Sequence, residues 1–417
     1  MEPELLPDYL DLNGSFDEQI RNIMQNVRLT RQEVDNLNLL YVHLEGALQT
    51  SWPGCKVLPF GSIITGLGIK TSDVDCFIEI PGDNYNKNNR NNHVIIARNL
   101  LRRQPWLFQN LFAITSAKVP ILKFFHIPTQ RHCDINFKSK AGVRNSSLMA
   151  YLLHMDKRAV TLAVIIKYWS KVHNLTGTNM MTSYGLTILV IFYLQQINIL
   201  PSVCKLQKDN EMYAIDGWNT AFREDFSFMS DNCQSVYELL GGFFKFYSAI
   251  NFEENIISPF TGNLIPRNLF KNLDDVPSVF DMYKINIGSK EYEALRIDTK
   301  MCIQDPFEHN RNCTMSVYPR LANTIISHFL LAAQIYDENT KDFYVIDLLA
   351  RTPPPIHPIK NKHKVGHNNH NKPKSQKKTI APINNSKVTK PNKRSKKITN
   401  NFEVLYRNMK MQRQRKV

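Results

Sequence analysis

Two aspartates one residue apart are the first place in this sequence where chemistry can be read. They stand in Ser72-Asp-Val-Asp75, which runs on into Cys76-Phe-Ile-Glu-Ile80. The apolar–polar alternation predicts a β-strand over 74–80, and side chains two apart on a strand leave the same face, roughly 6–7 Å apart along the chain. Asp73 and Asp75 would therefore aim two carboxylates at one point, while Val74 and Cys76 face the other way. Like charges held that close resist joint ionisation, and a hard divalent cation with oxygen ligands relieves them. Taken alone, an Asp-x-Asp at a strand edge is more often solvated than catalytic. Here it follows Gly61-Ser62, about ten residues upstream and just after the apolar run 57–60. A Gly-Ser turn entering a helix offers unpaired backbone N–H groups and a hydroxyl, a seat for phosphate. Arg131-His-Cys-Asp-Ile-Asn-Phe137 is a second alternating run, and a neighbouring strand would bring Asp134 beside the first pair. Three carboxylates, two metal ions and a triphosphate make a phosphoryl-transfer site. One metal lowers the pKa of an attacking hydroxyl and the other steadies the leaving pyrophosphate.

Elements must hold these groups. Apolar periodicity predicts helix across residues 16–50, and β-rich runs at 74–80, 117–125 and 132–137. An Asn-rich loop at 83–93 precedes a predicted helix at 94–103. Longer helices follow at 148–153, 158–171 and 183–197, then at 233–250 despite Gly241-Gly242, and at about 315–336. The body thus reads as a small mixed α/β module held against a mostly helical one. Lys167 and Lys171 are i,i+4 on an otherwise apolar helix, so they share a face where a cation pair wants an anion, unless they merely reach for solvent.

Charge separates the chain into two parts. Of the net +15, from 52 Lys+Arg against 37 Asp+Glu, residues 351–417 hold +18 (19 basic residues against Glu403), which leaves −3 on residues 1–350. A uniformly basic nucleic-acid binder is excluded; a basic arm on a near-neutral body is not. The arm opens with four prolines within 353–358 and is poor in large apolar residues, so disorder is expected from about residue 346 onward. Phe402, Val404, Leu405 and Met409 could form a short amphipathic helix against a protein partner. With 43% hydrophobic residues the rest can bury a core. No apolar run reaches the roughly 18 residues of a membrane span, and the N-terminus lacks the pattern of a signal peptide. The seven cysteines form no C-x-x-C pair, so neither a disulfide framework nor a zinc site is indicated. These points lead us to expect a cytoplasmic protein, with the basic run 391–397 leaving a nuclear location open.

The sequence resembles the DNA polymerase β-type nucleotidyltransferases, and within them the non-canonical poly(A) polymerases and terminal uridylyltransferases, with their insect Tailor-type members. The likeness covers about residues 15–340. It is carried by Phe60-Gly-Ser, Ser72-Asp-Val-Asp75, Val119-Pro-Ile-Leu-Lys123, Cys133-Asp-Ile-Asn136, Gly142-Val-Arg-Asn-Ser146, Ile166-Lys-Tyr-Trp-Ser-Lys171, Thr182-Ser-Tyr-Gly-Leu186, Leu240-Gly-Gly-Phe-Phe244 and Gln304-Asp-Pro-Phe-Glu308. The resemblance implies an α+β fold. A polymerase β-like catalytic domain (51–145), a mixed sheet with flanking helices, joins a mostly helical central domain with a PAP-associated region (146–345). Residues 1–50 would form a helical segment packing on the central domain, and 346–417 the disordered basic tail.

The resemblance also implies roles. Asp73, Asp75 and Asp134 would be the catalytic, metal-binding carboxylates. Gly61, Ser62 and Ser72 would hold the triphosphate, with Lys167, Lys171 and Ser183 on its phosphates. Ser183 could equally cap the helix it opens. Asn145 would bond the ribose hydroxyls and Tyr184 would stack on the incoming base. Asp305 and Glu308 match an acid pair that, in uridylyltransferases, precedes a histidine favouring uracil. Arg311 stands at that histidine's position, with His309 two residues early. Arginine is bulky enough to exclude a purine and can donate to a uracil carbonyl, but it has no acceptor. The expected activity is template-independent addition of UMP from UTP to RNA 3′ ends with Mg²⁺ or Mn²⁺. The alternatives are a poly(A) polymerase using ATP or a silent RNA-binding scaffold. Lys118 and Lys123 are candidate primer contacts, and the tail a candidate RNA grip.

Overall fold

The computed structural model describes residues 6–82, 90–117 and 119–355. Lys118, most of the Asn-rich loop, the run 391–397 and the apolar residues near the C-terminus lie outside them. Three helices come first: α1 (Phe16–Asn26), α2 (Arg31–Asn36) and α3 (Asn38–Leu48). Five strands follow, β1 (Lys56–Phe60), β2 (Val74–Glu79), β3 (Phe108–Ile114), β4 (Ile121–His126) and β5 (Arg131–Asn136), with α4 (Arg90–Leu101) between β2 and β3. The sheet order is β1-β2-β5-β4-β3, and only β2 and β5 run parallel. One face is apolar, with Val74, Cys76, Leu122, Phe124, Cys133 and Ile135 buried against Leu40 and Leu44 of α3 and Val94 and Ala97 of α4. The opposite face carries the acidic residues.

The helical part is built from α5 (Ala141–Met155), α6 (Lys157–Val172), α7 (Ser183–Gln196), a short α8 (Val203–Gln207), α9 (Val236–Ala249), α10 (Asp281–Gly288), α11 (Pro319–Glu338) and α12 (Lys341–Ala350). Two small hairpins accompany them, β6 (Ala214–Ile215) with β7 (Trp218–Asn219) and β8 (Asn255–Ser258) with β9 (Asn263–Pro266). In α6 and α7 nearly every apolar side chain is buried, which is why these segments read as apolar all round rather than amphipathic. Gly241-Gly242 is no helix breaker. A methyl at Gly241 would stand 2.2 Å from the Tyr336 ring and one at Gly242 2.2 Å from the Tyr193 hydroxyl, so the pair lets α9 close on α11 and α7. α9 opens with a capping box, in which Ser235 N–H donates to Glu238 Oε2 at 2.7 Å.

Three findings refine the reading from sequence. The N-terminal segment is shared between two cores: α1 packs on α6 and α12, while Leu37, Leu40, Leu44 and Leu48 belong beneath the sheet. β3 is hidden in the sequence because a β-bulge and polar Gln109-Asn110 break its alternation. The helical body extends one element further, through α12. No helix among the described residues is long and apolar enough to cross a membrane.

Candidate active site

Asp75 and Asp134 are direct register partners on the two parallel strands β2 and β5, so both carboxylates leave the same face about 4.8 Å apart in backbone spacing. Asp73 stands exposed just before β2. Burial, then the charges of Asp134 and Asp73, push the Asp75 carboxyl up to about 7. Burial also raises Asp134, opposed by Lys123, which is its register partner on β4 and forms an ion pair with it. Burial alone would lower the Lys123 ammonium; the hydrogen bond to Asp134 and the three carboxylate charges outweigh that and hold it above its ordinary value. Lys123 is thus a half-exposed cation paired with one of the acids. Among the described residues no three His, Cys, Asp or Glu side chains are closed into a finished metal cage. The donor set nevertheless fits Mg²⁺ or Mn²⁺. It is all carboxylate oxygen, crowded until one member is driven toward neutrality and another takes an ammonium as counter-ion.

A cleft of about 370 Å³ opens beside this face. It is lined by Gly61, Ser62, Ser72, Asp73, Asp75, Asn145, Lys167, Lys171, Ser183, Tyr184 and Arg311, with Thr71, Met149 and Thr187 among the rest. Asp134 lies next to it in the sheet, while Asp305 and Glu308 stand behind it. Gly61 adopts φ +75°, and a Cβ there would sit 2.6 Å from Asp75 Oδ2. Only glycine combines that backbone with room for the carboxylate. Its N–H is used by Ser146 Oγ at 2.7 Å, which ties the turn to α5, so Gly61 shapes the cleft rather than offering a free donor. No regular helix follows it either: residues 61–66 make a turn closed by Leu67 N–H donating to Ser62 O at 3.0 Å.

Lys167 is 6% exposed and donates to Leu67 O at 2.8 Å and Ser72 Oγ at 3.3 Å, which points it at the turn preceding Asp73. Burial, then Lys171, push it down to about 7. A bound polyanion would restore its charge. Ser183 is not the helix cap: Thr182 takes that place, accepting from Gly185 N–H at 3.0 Å, and Ser183 is left facing the cleft.

The end of the cleft at Tyr184 and Arg311 is organised from behind. Asp305 has no exposed surface and accepts from the Tyr184 hydroxyl at 3.1 Å, from Asn145 Nδ2 at 3.3 Å, and from the backbone N–H groups of Phe307 and Glu308, each at 3.0 Å. Arg311 Nη1 lies 3.7 Å from Asp305 Oδ2 and 3.6 Å from Glu308 Oε2, and its guanidinium sits 5.8 Å from the Tyr184 ring centroid. The two acids therefore fix the arginine and the tyrosine that face the cleft. Asn145 keeps its Oδ1 buried and unpartnered, an acceptor for a hydroxyl. His309 turns the other way, into an aromatic nest with Phe260 at 4.1 Å, Phe280 at 5.2 Å and Trp218 at 5.6 Å, and burial lowers its imidazole to about 3. It is core, and Arg311 alone of the two reaches the cleft. No local pattern signals the Lys123–Asp134 pair or Asp305 as a hub; the first depends on strand order and the second on partners more than a hundred residues away.

This arrangement matches known proteins in both halves. Residues 16–154 match the central palm domain of the mitochondrial-like poly(A) RNA polymerases, and residues 235–311 match the Cid1 family poly A polymerase domain. The chain is 27% identical over 341 residues to the Speckle targeted PIP5K1A-regulated poly(A) polymerase of Danio rerio, covering 72% of this chain and 42% of that protein. It is 28% identical over 318 residues to Terminal uridylyltransferase 7 of Homo sapiens, covering 72% of this chain and 20% of that protein. The chain thus spans less than half the length of these relatives. In fold it superimposes on mtPAP solved with UTP at a TM-score of 0.69, with 20% identity, over 84% of this chain and 75% of that one. With both domains present in order, the acidic face within the first and Arg311 of the second lining the same cleft, the protein belongs to the non-canonical poly(A) polymerase and terminal uridylyltransferase family of nucleotidyltransferases.

Proposed function

We propose that the chain is a template-independent RNA 3′-terminal nucleotidyltransferase that uses UTP. The observation that carries the reading is the side-by-side register of Asp75 and Asp134 at a cleft whose other groups suit one nucleoside triphosphate. Lys167 and Lys171 neutralise the phosphates, with Ser62, Ser72 and Ser183 as hydroxyl donors. Asn145 Oδ1 accepts from a ribose hydroxyl, and Tyr184 stacks on the base. Mg²⁺ or Mn²⁺ held by Asp73, Asp75 and Asp134 would supply charge neutralisation at the α-phosphate and a lower pKa for the attacking hydroxyl. The RNA 3′-hydroxyl forms a bond to the α-phosphorus in line as the bond to pyrophosphate breaks. Arg311 supports uracil, since it fills the base end and donates to a carbonyl. Several relatives are named poly(A) polymerases, which keeps ATP as the second reading. Purified protein incubated with a labelled 3′-OH oligoribonucleotide, Mg²⁺ or Mn²⁺ and each NTP separately decides between them. Extension with UTP is expected, extension only with ATP selects the second reading, and activity that survives Asp73→Ala would come from a contaminant.

A further inference from the structure

One row of register partners crosses the whole sheet at the level of the carboxylates: Phe60 on β1, Asp75 on β2, Asp134 on β5, Lys123 on β4 and Phe112 on β3. Phe112, at the far end, is 63% exposed. It points outward because of the bulge. Phe108 and Gln109 pair with His126 and Phe125, and an unbroken ladder from there would set Leu111 opposite Lys123 and turn Phe112 onto the apolar face. One extra residue, with Asn110 at φ +53°, sets Phe112 opposite Lys123 instead. Bulges beside functional sites commonly serve to re-aim a side chain. In the next row of the same face, Phe125 and His132 meet across β4 and β5 with ring centroids 5.0 Å apart, His132 being exposed.

We propose that this strip seats the terminal nucleotides of a single-stranded RNA whose 3′-hydroxyl is presented at Asp75 and Asp134. The proposal rests on the function proposed above. Bases stack on Phe112 and on the Phe125–His132 pair, and Lys123 supplies the cation facing the backbone. The dimensions agree. β5 to β3 is two inter-strand steps, about 10 Å, or about three nucleotides at the ~3.4 Å stacked rise. Stacking accepts every base, because each has a π-face. An enzyme that works without a template on RNA ends of any sequence needs that tolerance. The strip is continuous with the row of Asp75 and Asp134, where the proposed reaction places an RNA end, and that continuity favours RNA over an apolar protein surface.

The test uses the full chain and a fluorescent 3′-OH oligoribonucleotide of mixed sequence, with binding read by anisotropy without NTP. Phe112→Ala is expected to weaken RNA binding about 5- to 100-fold, the worth of a stacked base, with the NTP KM and the melting temperature unchanged. Phe112→Trp should restore binding, whereas Phe112→Leu, which keeps apolar bulk but no π-face, should resemble alanine. An oligonucleotide made abasic at its terminal positions should bind the native chain and Phe112→Ala alike. RNA affinity indifferent to Phe112→Ala, or restored by leucine, overturns the proposal. Because binding is read without turnover, a chain unable to transfer nucleotides sinks the function reading while leaving the strip testable. An active chain whose RNA affinity ignores Phe112 sinks the strip alone.

Discussion

Asp75 is held against its own ionisation, and that has consequences at the scale of single residues. Its carboxyl rises from 3.8 to about 7. An acid whose folded value exceeds its unfolded one contributes stability that is complete below about pH 4 and is lost as pH climbs through about 7. Asp75→Asn removes this titration. Thermal melts of metal-free protein should therefore show the variant gaining on the native chain as pH rises across that window. Mg²⁺ should stabilise the native chain most at the alkaline end. The same variant should fall about 100-fold or more in transfer rate, since it removes charge from the reacting centre. Together, a stabilising and inactivating change separates a functional carboxylate from a structural one. Arg311 gives the second test at this scale. Truncation to Ala clears the base end of the cleft and should raise kcat/KM for ATP relative to UTP by about tenfold, the scale on which pocket shape discriminates. A ratio that does not move would remove Arg311 from base choice.

At the scale of elements, the turn between β1 and β2 works by shape. Gly61→Ala forces a side chain into φ +75° at about 1–2 kcal/mol and sets a methyl against Asp75 Oδ2. A modest fall in melting temperature with a much larger fall in activity is expected. Retained activity would show that the turn can relax away from the carboxylate. β3 shows the converse case: its irregularity hides it from periodicity, and that same irregularity turns Phe112 onto the acidic face. Thr182, rather than Ser183, caps α7, because its hydroxyl is one position earlier and accepts from Gly185 N–H, which frees Ser183 for the cleft.

For the whole molecule, we propose from its charge that the basic tail helps to hold RNA. Arg351 still belongs to the folded body, with Nη1 3.0 Å from Glu338 Oε2 and 3.9 Å from Asp347 Oδ2. A truncation should therefore fall after Pro355. Deleting 356–417 removes +17 (18 Lys+Arg against Glu403) and leaves a net charge of −2. The expected result is a higher RNA KM and a flatter dependence on salt. The log–log slope should shrink by about 0.7 for every RNA phosphate that the tail's lysines and arginines neutralise, with the UTP KM unchanged. RNA affinity equal to that of the full chain across salt would assign the grip to the body alone.

Sequence by itself placed the candidate groups. Period-two alternation put Asp75 and Asp134 on strand faces, with Asp73 just ahead of β2, and the i,i+4 spacing paired Lys167 with Lys171, because local backbone geometry fixes which neighbours share a face. Tertiary structure decided how those groups are tuned. The parallel pairing of β2 with β5 sets Asp75 against Asp134. The strand order supplies Lys123 as counter-ion. Hydrogen bonds spanning more than a hundred residues make Asp305 the support of both Asn145 and Tyr184. His309 and Arg311 look interchangeable two residues apart, yet one fills an aromatic nest and the other reaches the cleft. Burial and the direction of a side chain depend on which elements pack together, and no local pattern encodes that.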